Sequence, residues 1–337
     1  MPSTTLQSSN LPLYNRSMLN NPRPSNITRR TFLGVGGAAA VASPMRAFAA
    51  ASQASNSSAV KVEKGVVYGK GGSMDLHCDI YRPPPGTEKH MALIHLYGGG
   101  FRGGSIADLP DKVTPVTALG YVSIAAQYRL TGVAKFPAML HDVKTAIRWA
   151  RANATALGID PKRVAVVGYS AGGFLALAAA GTMNRPEFEG EGGNPKVGSE
   201  LAACVAFYPR TEISLEANGA AHILLPPGSD AAAHRAASPT TYVSPAFPPT
   251  ILYHGLADMN IPPESSYHFL QLLREAKVPS ELHTFDGVPH EFDTHPEFAQ
   301  ATAELTDFFL DRHVLHPRTY PPFGPGGGRG RGSTAIG

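Results

Sequence analysis

Residues 164–173 read VAVVGYSAGG, and an Ala/Leu-rich segment follows them as far as Thr182. The apolar run Val164–Gly168 predicts a strand buried on both faces, and Ala171–Thr182 predicts a helix. Between the two, Ser170 lies in a G-x-S-x-G pattern, whose small residues let the backbone turn tightly from strand to helix. This context favours a nucleophile elbow over an ordinary glycine-rich turn.

The rest of the body, about residues 60–316, alternates short apolar runs with segments of helical periodicity. The predicted strands are Leu76–Tyr81, Ala92–Leu96, Val122–Ala126, Val164–Gly168, Ala203–Phe207, Thr250–His254 and Glu281–Phe285. The predicted helices are Pro137–Leu157, Ala171–Thr182, Pro263–Ala276 and Phe298–Val314. Such alternation is typical of an α/β fold with a mostly parallel central sheet and helices on both faces. No internal repeat and no second domain are expected.

Composition excludes several classes of function. The 337 residues carry a net charge of +3, but five arginines and no acidic residue lie within residues 1–49. The remainder is slightly acidic, so electrostatic binding of nucleic acid or of a lipid surface is not expected. The two cysteines, Cys78 and Cys204, form no CxxC pair or Cys/His cluster, which argues against structural zinc. We expect neither a metal nor an organic cofactor.

The N-terminal residues resemble an export signal. Thr28-Arg29-Arg30-Thr31-Phe32-Leu33 precedes a weakly apolar Gly/Ala run and then Ala47-Phe48-Ala49. These are the basic region, short apolar region and cleavage site of a twin-arginine signal, and the apolar run is far short of the roughly 20 residues that span a bilayer. We therefore expect a signal peptide over 1–49, a linker over 50–59, no stable membrane anchor, and a periplasmic or extracellular protein. The Gly/Pro/Arg-rich residues 317–337 are expected to be a disordered tail.

A second glycine-rich loop follows the predicted strand Ala92–Leu96. It reads Tyr97-Gly98-Gly99-Gly100-Phe101-Arg102-Gly103-Gly104. Behind a nucleophilic serine, the amide of the next residue, Ala171, needs a partner amide from such a loop to hold an oxyanion. A flexible loop and a phosphate cradle are the alternatives, and the Lys-Ser/Thr ending of a P-loop is missing.

A serine nucleophile needs a base and an orienting carboxylate, which follow it along the chain in the order Asp, then His. Asp258 lies just after the predicted strand Thr250–His254, and His290 just after Glu281–Phe285. Because parallel strands end at one edge of the sheet, both side chains are expected near Ser170. The main rivals are His295 for the base, and Asp286 and Asp293 for the carboxylate.

With these pieces in place, residues 60–312 resemble the α/β-hydrolase esterases of the hormone-sensitive-lipase and feruloyl/acetyl esterase groups. The matching stretches are Tyr97–Phe101, Phe136-Pro137-Ala138, Gly158–Arg163, Gly168–Gly173, Ala237-Ser238-Pro239, His254–Asp258 and Gly287–Phe292. The resemblance implies an α/β-hydrolase fold. It also implies Ser170, Asp258 and His290 as the catalytic triad, with the amides of Gly99, Gly100 and Ala171 as the oxyanion hole.

Two positions depart from those groups. They usually have His where this chain has Tyr97, so another interaction must brace the oxyanion loop. The strand after the nucleophile helix usually ends there in Gly-Pro, whereas here it ends in Tyr208-Pro209, which could alter the acyl pocket. From position alone, the expected substrate contacts are Arg102, Tyr169, Phe174 and Tyr208.

The sequence therefore predicts a serine ester hydrolase. Its expected partner is a small-molecule or carbohydrate ester with a short acyl group, such as acetyl or feruloyl, and no nucleic acid. A prolyl-oligopeptidase-type peptidase and a catalytically inactive hydrolase fold that binds a ligand stay open as alternatives. Neither the alcohol part of the substrate nor the oligomeric state follows from the sequence.

Overall fold

A computed structural model describes residues 60–213 and 221–320 of the chain. The signal peptide and linker predicted for residues 1–59, and residues 321–337 of the predicted tail, lie outside the described residues.

The centre of the described residues is an eight-stranded sheet. Its strands are β1 (Lys61–Gly71), β2 (Met74–Arg82), β3 (Ala92–Leu96), β4 (Val122–Ala126), β5 (Val164–Tyr169), β6 (Ala203–Phe207), β7 (Thr250–Gly255) and β8 (Ser280–Phe285). Their order across the sheet is β1-β2-β4-β3-β5-β6-β7-β8. Strand β2 is antiparallel to β1 and β4, and the strands from β4 to β8 run parallel.

Helices cover the sheet. They are α1 (Pro110–Ala118), α2 (Ala138–Ala152), α3 (Ala154–Leu157), α4 (Ala171–Gly181), α5 (Pro186–Glu189), α6 (Ala221–Leu224), α7 (Ala231–Ala237), α8 (Glu264–Glu275) and α9 (Pro296–Leu310). Short 3-10 turns span Ile106–Asp108, Pro239–Tyr242 and Phe292–Thr294, and a π turn spans Asp311–Leu315. Helix α2 packs against α4, and α1 packs against α9. Every residue of β3 to β7 is buried, so both faces of the sheet are covered.

The order of the strands positions the site. From β3 the chain passes first to β4 on one side and then to β5 on the other, so β3 and β5 are neighbours across a topological switch. Ligands of open α/β sheets bind outside the carboxyl ends of strands at such a point. The loop after β3 and the turn after β5 are the two glycine-rich segments in which the sequence predicts oxyanion donors and the nucleophile.

The seven predicted strands are all present, with ends that differ by at most two residues. Strand β1 was not predicted, because its residues are mostly exposed and form no apolar run. Helix α1 was also missed, since its two prolines suggest a loop. The single helix predicted over Pro137–Leu157 is wrong in one respect: it is interrupted at Asn153, whose backbone and side-chain N–H groups both donate to the Trp149 carbonyl.

The two cysteines lie in the buried sheet. Cys78 in β2 and Cys204 in β6 are free and buried. Within the described ranges, no helix is long and apolar enough to cross a membrane.

His95 makes the stability of the fold sensitive to acid. It lies in β3 at 1% exposure, and burial lowers its pKa to about 3. Below pH ~6.5 the imidazole is protonated in the unfolded chain but stays neutral in the folded chain. The free energy of unfolding therefore falls as the pH falls from ~6.5 towards ~3. We expect His95→Gln to remove about 1 kcal/mol of the stability loss between pH 7.5 and 5.5. Urea unfolding at both pH values measures this, and His268→Gln, which changes an exposed helical histidine, should keep the full loss.

Candidate active site

Ser170 occupies a tight turn between β5 and α4. Its backbone has φ 54° and ψ −112°, outside the regions that L-residues prefer, and its N–H donates to the Phe207 carbonyl at 3.0 Å. A Cβ on Gly168 would lie 2.0 Å from the Gly172 carbonyl oxygen, and a Cβ on Gly172 would lie 2.0 Å from the Leu96 carbonyl oxygen. Both flanking positions must therefore be glycine. This strained turn from strand to helix has the geometry of a nucleophile elbow.

A chain of hydrogen bonds joins the three predicted catalytic residues. Nε2 of His290 lies 2.9 Å from Ser170 Oγ, and Nδ1 of His290 lies 2.6 Å from Asp258 Oδ2. With Asp258 ionised, Nδ1–H donates to the carboxylate and Nε2 accepts from the serine hydroxyl. His290 keeps only 10% of its side chain exposed, and that of Asp258 is fully buried. The structure thus brings together the three residues selected from the sequence.

The two loops that carry Asp258 and His290 touch directly. Ala257 N–H donates to the Val288 carbonyl at 3.0 Å, and a Cβ on Gly255 would lie 2.2 Å from that same oxygen. Gly255 is therefore the residue that lets the loop after β7 approach the loop after β8.

His254 is a site residue that sequence analysis did not select. It is fully buried, its Nε2 donates to the Ile261 carbonyl at 2.9 Å, and the same nitrogen lies 3.3 Å from Asp258 Oδ2. The other Asp258 oxygen accepts from the N–H groups of Asn260 and Ile261. Burial lowers the pKa of His254, which favours its neutral form. His254 thus fixes the turn that presents the Asp258 carboxylate, and its place at the end of a strand before Asp258 was the available sequence signal.

The loop after β3 lies against Ser170. A Cβ on Gly98 would be 3.4 Å from the Cβ of Ser170, and Gly99 and Gly100 have positive φ angles of 110° and 59°. Among the described residues, no acceptor receives a hydrogen bond from the N–H of Gly99 or Gly100. The loop that carries Gly99 and Gly100 thus lies beside Ser170, and Ala171 is the first residue of α4.

A pair of tyrosines braces this loop. The Tyr97 hydroxyl donates to the Tyr128 carbonyl at 2.9 Å, the Tyr128 hydroxyl donates to the Tyr97 carbonyl at 2.7 Å, and the two rings stack at 4.3 Å. Burial raises the pKa of Tyr97 to about 12, so its hydroxyl remains a donor at neutral pH. This reciprocal contact fixes the first residue of the loop against the segment that follows β4.

The four expected substrate contacts lie in different surroundings. Arg102 is exposed beside the glycine-rich loop. Phe174 is fully buried with its ring 5.2 Å from that of Phe101, and Tyr169 is buried beneath the elbow with its ring 4.8 Å from that of Phe207. Tyr208 is fully buried with its ring 4.4 Å from the imidazole of His290. Of the four, only Arg102 presents its side chain to solvent.

The alternative candidates for the base and the carboxylate lie outside the hydrogen-bond chain of Ser170, His290 and Asp258. His295 and Asp286 are exposed, His295 as the residue that precedes α9. Asp293 is buried, but it pairs with Lys112 and accepts from the Tyr208 hydroxyl instead of contacting His290. In the part of the chain that the structure describes, no group of three or more His, Cys, Asp or Glu side chains could hold a metal ion.

The arrangement can perform one kind of chemistry with its own groups. It combines a nucleophilic hydroxyl, a base oriented by a buried carboxylate, and backbone donors for a developing negative charge. The fold and the site together define an α/β hydrolase.

Comparison with known proteins agrees with this class. The BD-FAE family profile matches residues 78–273, and the chain belongs to this family. The chain is 28% identical over 242 residues to the probable carboxylic ester hydrolase LipM of Mycobacterium tuberculosis, a match that covers 66% of this chain and 56% of LipM. It is 30% identical to the esterase LipC of the same organism, over 59% of this chain and 54% of LipC. The chain thus spans about half the length of these curated relatives.

Among solved structures, one similar esterase is matched over nearly its whole length. Esterase 2 of the planctomycete Thermogutta terrifontis superposes with a TM-score of 0.66 at 28% identity, over 78% of this chain and 96% of that protein. Structures of that esterase include complexes with propionate and butyrate. These matches confirm the α/β-hydrolase fold and the resemblance to esterases.

The tyrosine brace can be tested by removing one hydroxyl. Tyr128→Phe leaves the buried Tyr97 carbonyl without its donor, so we expect the free energy of unfolding to fall by about 1–3 kcal/mol. Because the oxyanion loop then loses a fixed position, kcat for p-nitrophenyl acetate should fall by about tenfold. Urea denaturation and steady-state kinetics measure the two effects. Tyr121→Phe, which removes a buried hydroxyl that bonds Asp307, is the control and should lower stability without lowering kcat.

Proposed function

We propose that this protein is a serine-dependent carboxylic ester hydrolase. The observation that carries the proposal is the unbroken hydrogen-bond chain from Ser170 through His290 to Asp258, at 2.9 and 2.6 Å. The names of the relatives, a probable carboxylic ester hydrolase and esterases, support the same activity.

In this proposal each residue of the site has one role. As Ser170 Oγ attacks the ester carbonyl, Nε2 of His290 takes its proton, and the Asp258 carboxylate stabilises the imidazolium through Nδ1–H. The amides of Gly99, Gly100 and Ala171 donate to the oxyanion of the tetrahedral intermediate. His290 then protonates the leaving alkoxide, and a water molecule activated by the same imidazole releases the acyl group from Ser170.

We further propose that the acyl group is short. The nucleophile is only 8% exposed, and Tyr169 and Phe174, which flank it in the chain, are buried aromatic residues, with Phe101 packed on Phe174. The complexes of the similar planctomycete esterase with propionate and butyrate support the same size class. Acetyl esters of carbohydrates fit the proposal, and the alcohol side would be identified by assay.

The activity is tested with p-nitrophenyl acetate, butyrate and octanoate. Wild type should hydrolyse the acetate and butyrate, with kcat/KM lower for octanoate, because a short pocket cannot bury the longer chain. Ser170→Ala should lose at least about four orders of magnitude in kcat, since the nucleophile is gone. Ser73→Ala, which changes an exposed turn serine, is the matched control and should keep wild-type rates. A folded wild-type protein without turnover on any of the three esters would contradict the proposal.

We also propose that the protein is exported in folded form through the twin-arginine route, on the strength of Arg29-Arg30 and the residues that follow. Replacing both with lysine should leave the full-length chain in the cytoplasm of a host that has this route, whereas Arg23→Lys should export normally. Cell fractionation followed by N-terminal sequencing of the exported form measures both results. Export of the double variant at the wild-type level would contradict this assignment.

A further inference from the structure

A buried polar cluster lies directly behind the imidazole of His290. It consists of Tyr208, Asp293 and Lys112. The Tyr208 hydroxyl donates to Asp293 Oδ1, Lys112 Nζ lies 2.7 Å from Asp293 Oδ2, and the same ammonium lies 3.3 Å from the Tyr208 oxygen. The side chains of Lys112 and Asp293 are 11% and 2% exposed, so these charges are compensated within the cluster.

The cluster connects the elements that carry the catalytic groups. Asp293 follows His290 by three residues, in the turn Phe292–Thr294. Lys112 belongs to α1, which follows the oxyanion loop, and its ammonium lies 4.7 Å from the ring centre of Tyr169, the residue before Ser170. Tyr208 directly follows β6, and its ring centre lies 4.4 Å from that of His290. One ion pair and one hydroxyl therefore connect the loop that carries His290, helix α1 and strand β5.

The backbone of Tyr208 indicates that its side chain is needed there. Its φ is +37°, in the left-handed region that glycine adopts freely and that strains a bulky residue. A glycine would adopt this conformation without strain, so the turn itself does not require a side chain. The phenol is nevertheless fully buried, and burial, with the Asp293 carboxylate next in effect, raises its pKa and keeps the hydroxyl a donor. Strain of this kind concentrates at functional sites.

We propose that Tyr208, held by Asp293 and Lys112, is a positioning residue that fixes the imidazole of His290 within hydrogen-bond distance of Ser170. Its ring packs on the imidazole while the carboxylate and ammonium fix the far end of the phenol. Asp258 holds the imidazole only at its Nδ1 edge. The Tyr208 ring therefore supplies a second contact that opposes rotation of His290 away from Ser170. The proposal rests on the assignment of Ser170 and His290 in the proposed function.

The experiment measures activation of Ser170 without an ester substrate. A fluorophosphonate probe forms a bond from Ser170 Oγ to phosphorus as the P–F bond breaks, fluoride leaves, and the hydroxyl proton passes to His290. The rate constant for labelling, with Ser170 identified by mass spectrometry, is compared among wild type, Tyr208→Phe, Asp293→Asn and the double variant, beside kcat and KM for p-nitrophenyl acetate. Tyr208→Phe keeps the volume and the ring, so only the hydroxyl is lost.

We expect labelling and kcat to fall together by about tenfold in each single variant, with KM within about twofold of wild type. The double variant should be no slower than the slower single variant, because both changes release the same ring. Tyr208→Gly, which relieves the strain but removes the ring, should be slower still. Tyr253→Phe is the matched control: it removes another fully buried phenol hydroxyl, on the neighbouring strand β7, that bonds Thr306 of α9, and it should label at the wild-type rate.

Labelling of Tyr208→Phe at the wild-type rate would overturn the proposal, even if its melting temperature falls. A raised KM with unchanged kcat would overturn it too, as would an equal loss in Tyr253→Phe or a wild type whose Ser170 does not label. If Asp293→Asn does not fold, the comparison of Tyr208→Phe with Tyr253→Phe decides. A wild type that labels at Ser170 but hydrolyses no ester would contradict the proposed function alone.

Discussion

The site depends on how closely the first turn of α4 approaches the ends of β3 and β5. The Gly172 position leaves no room for a Cβ, which would lie 2.0 Å from the Leu96 carbonyl oxygen, and Gly168 is limited in the same way by Gly172. This packing forces the strained backbone of Ser170 and places it against Gly98 of the next loop. Ser170 and the glycine-rich loop after β3 are thus held by a single steric constraint, which the fully buried strands β3 and β5 maintain.

Around Ser170, hydrogen bonds between buried polar groups hold the neighbouring loops in fixed positions. Asp258 receives two backbone N–H groups besides the imidazole, and His254 bonds the far side of the same turn. The pair Tyr97 and Tyr128 holds the loop after β3 by two reciprocal hydrogen bonds. Each of these groups is buried and paired, so rearranging any one of them would leave an unsatisfied donor or acceptor. Positions preorganised in this way are what electrostatic stabilisation of an oxyanion requires.

The sequence was informative wherever a feature is local. Val164–Gly173 contains an apolar run, two obligatory glycines and the Ala/Leu-rich helix, and these suffice to predict the strand, the turn and Ser170 between them. Asp258 and His290 could be selected because each follows a buried strand, and parallel strands end at one edge. Strand β1 could not be selected, since an edge strand with exposed side chains has no apolar period, and prolines hid α1 in the same way.

The sequence by itself therefore determined the order of strands and helices, the elbow and the candidate triad. These features depend on periodicity, turn chemistry and position relative to strand ends, which neighbouring residues specify. Only the tertiary structure decided which long-range partners meet. Tyr97 pairs with Tyr128, His254 lies beside Asp258, and Tyr208 packs on His290 because separate loops converge at the carboxyl edge of the sheet. Such contacts join residues far apart in the chain, and nothing in the local pattern of either partner specifies the other, so they could be identified only once the sheet had brought the loops together.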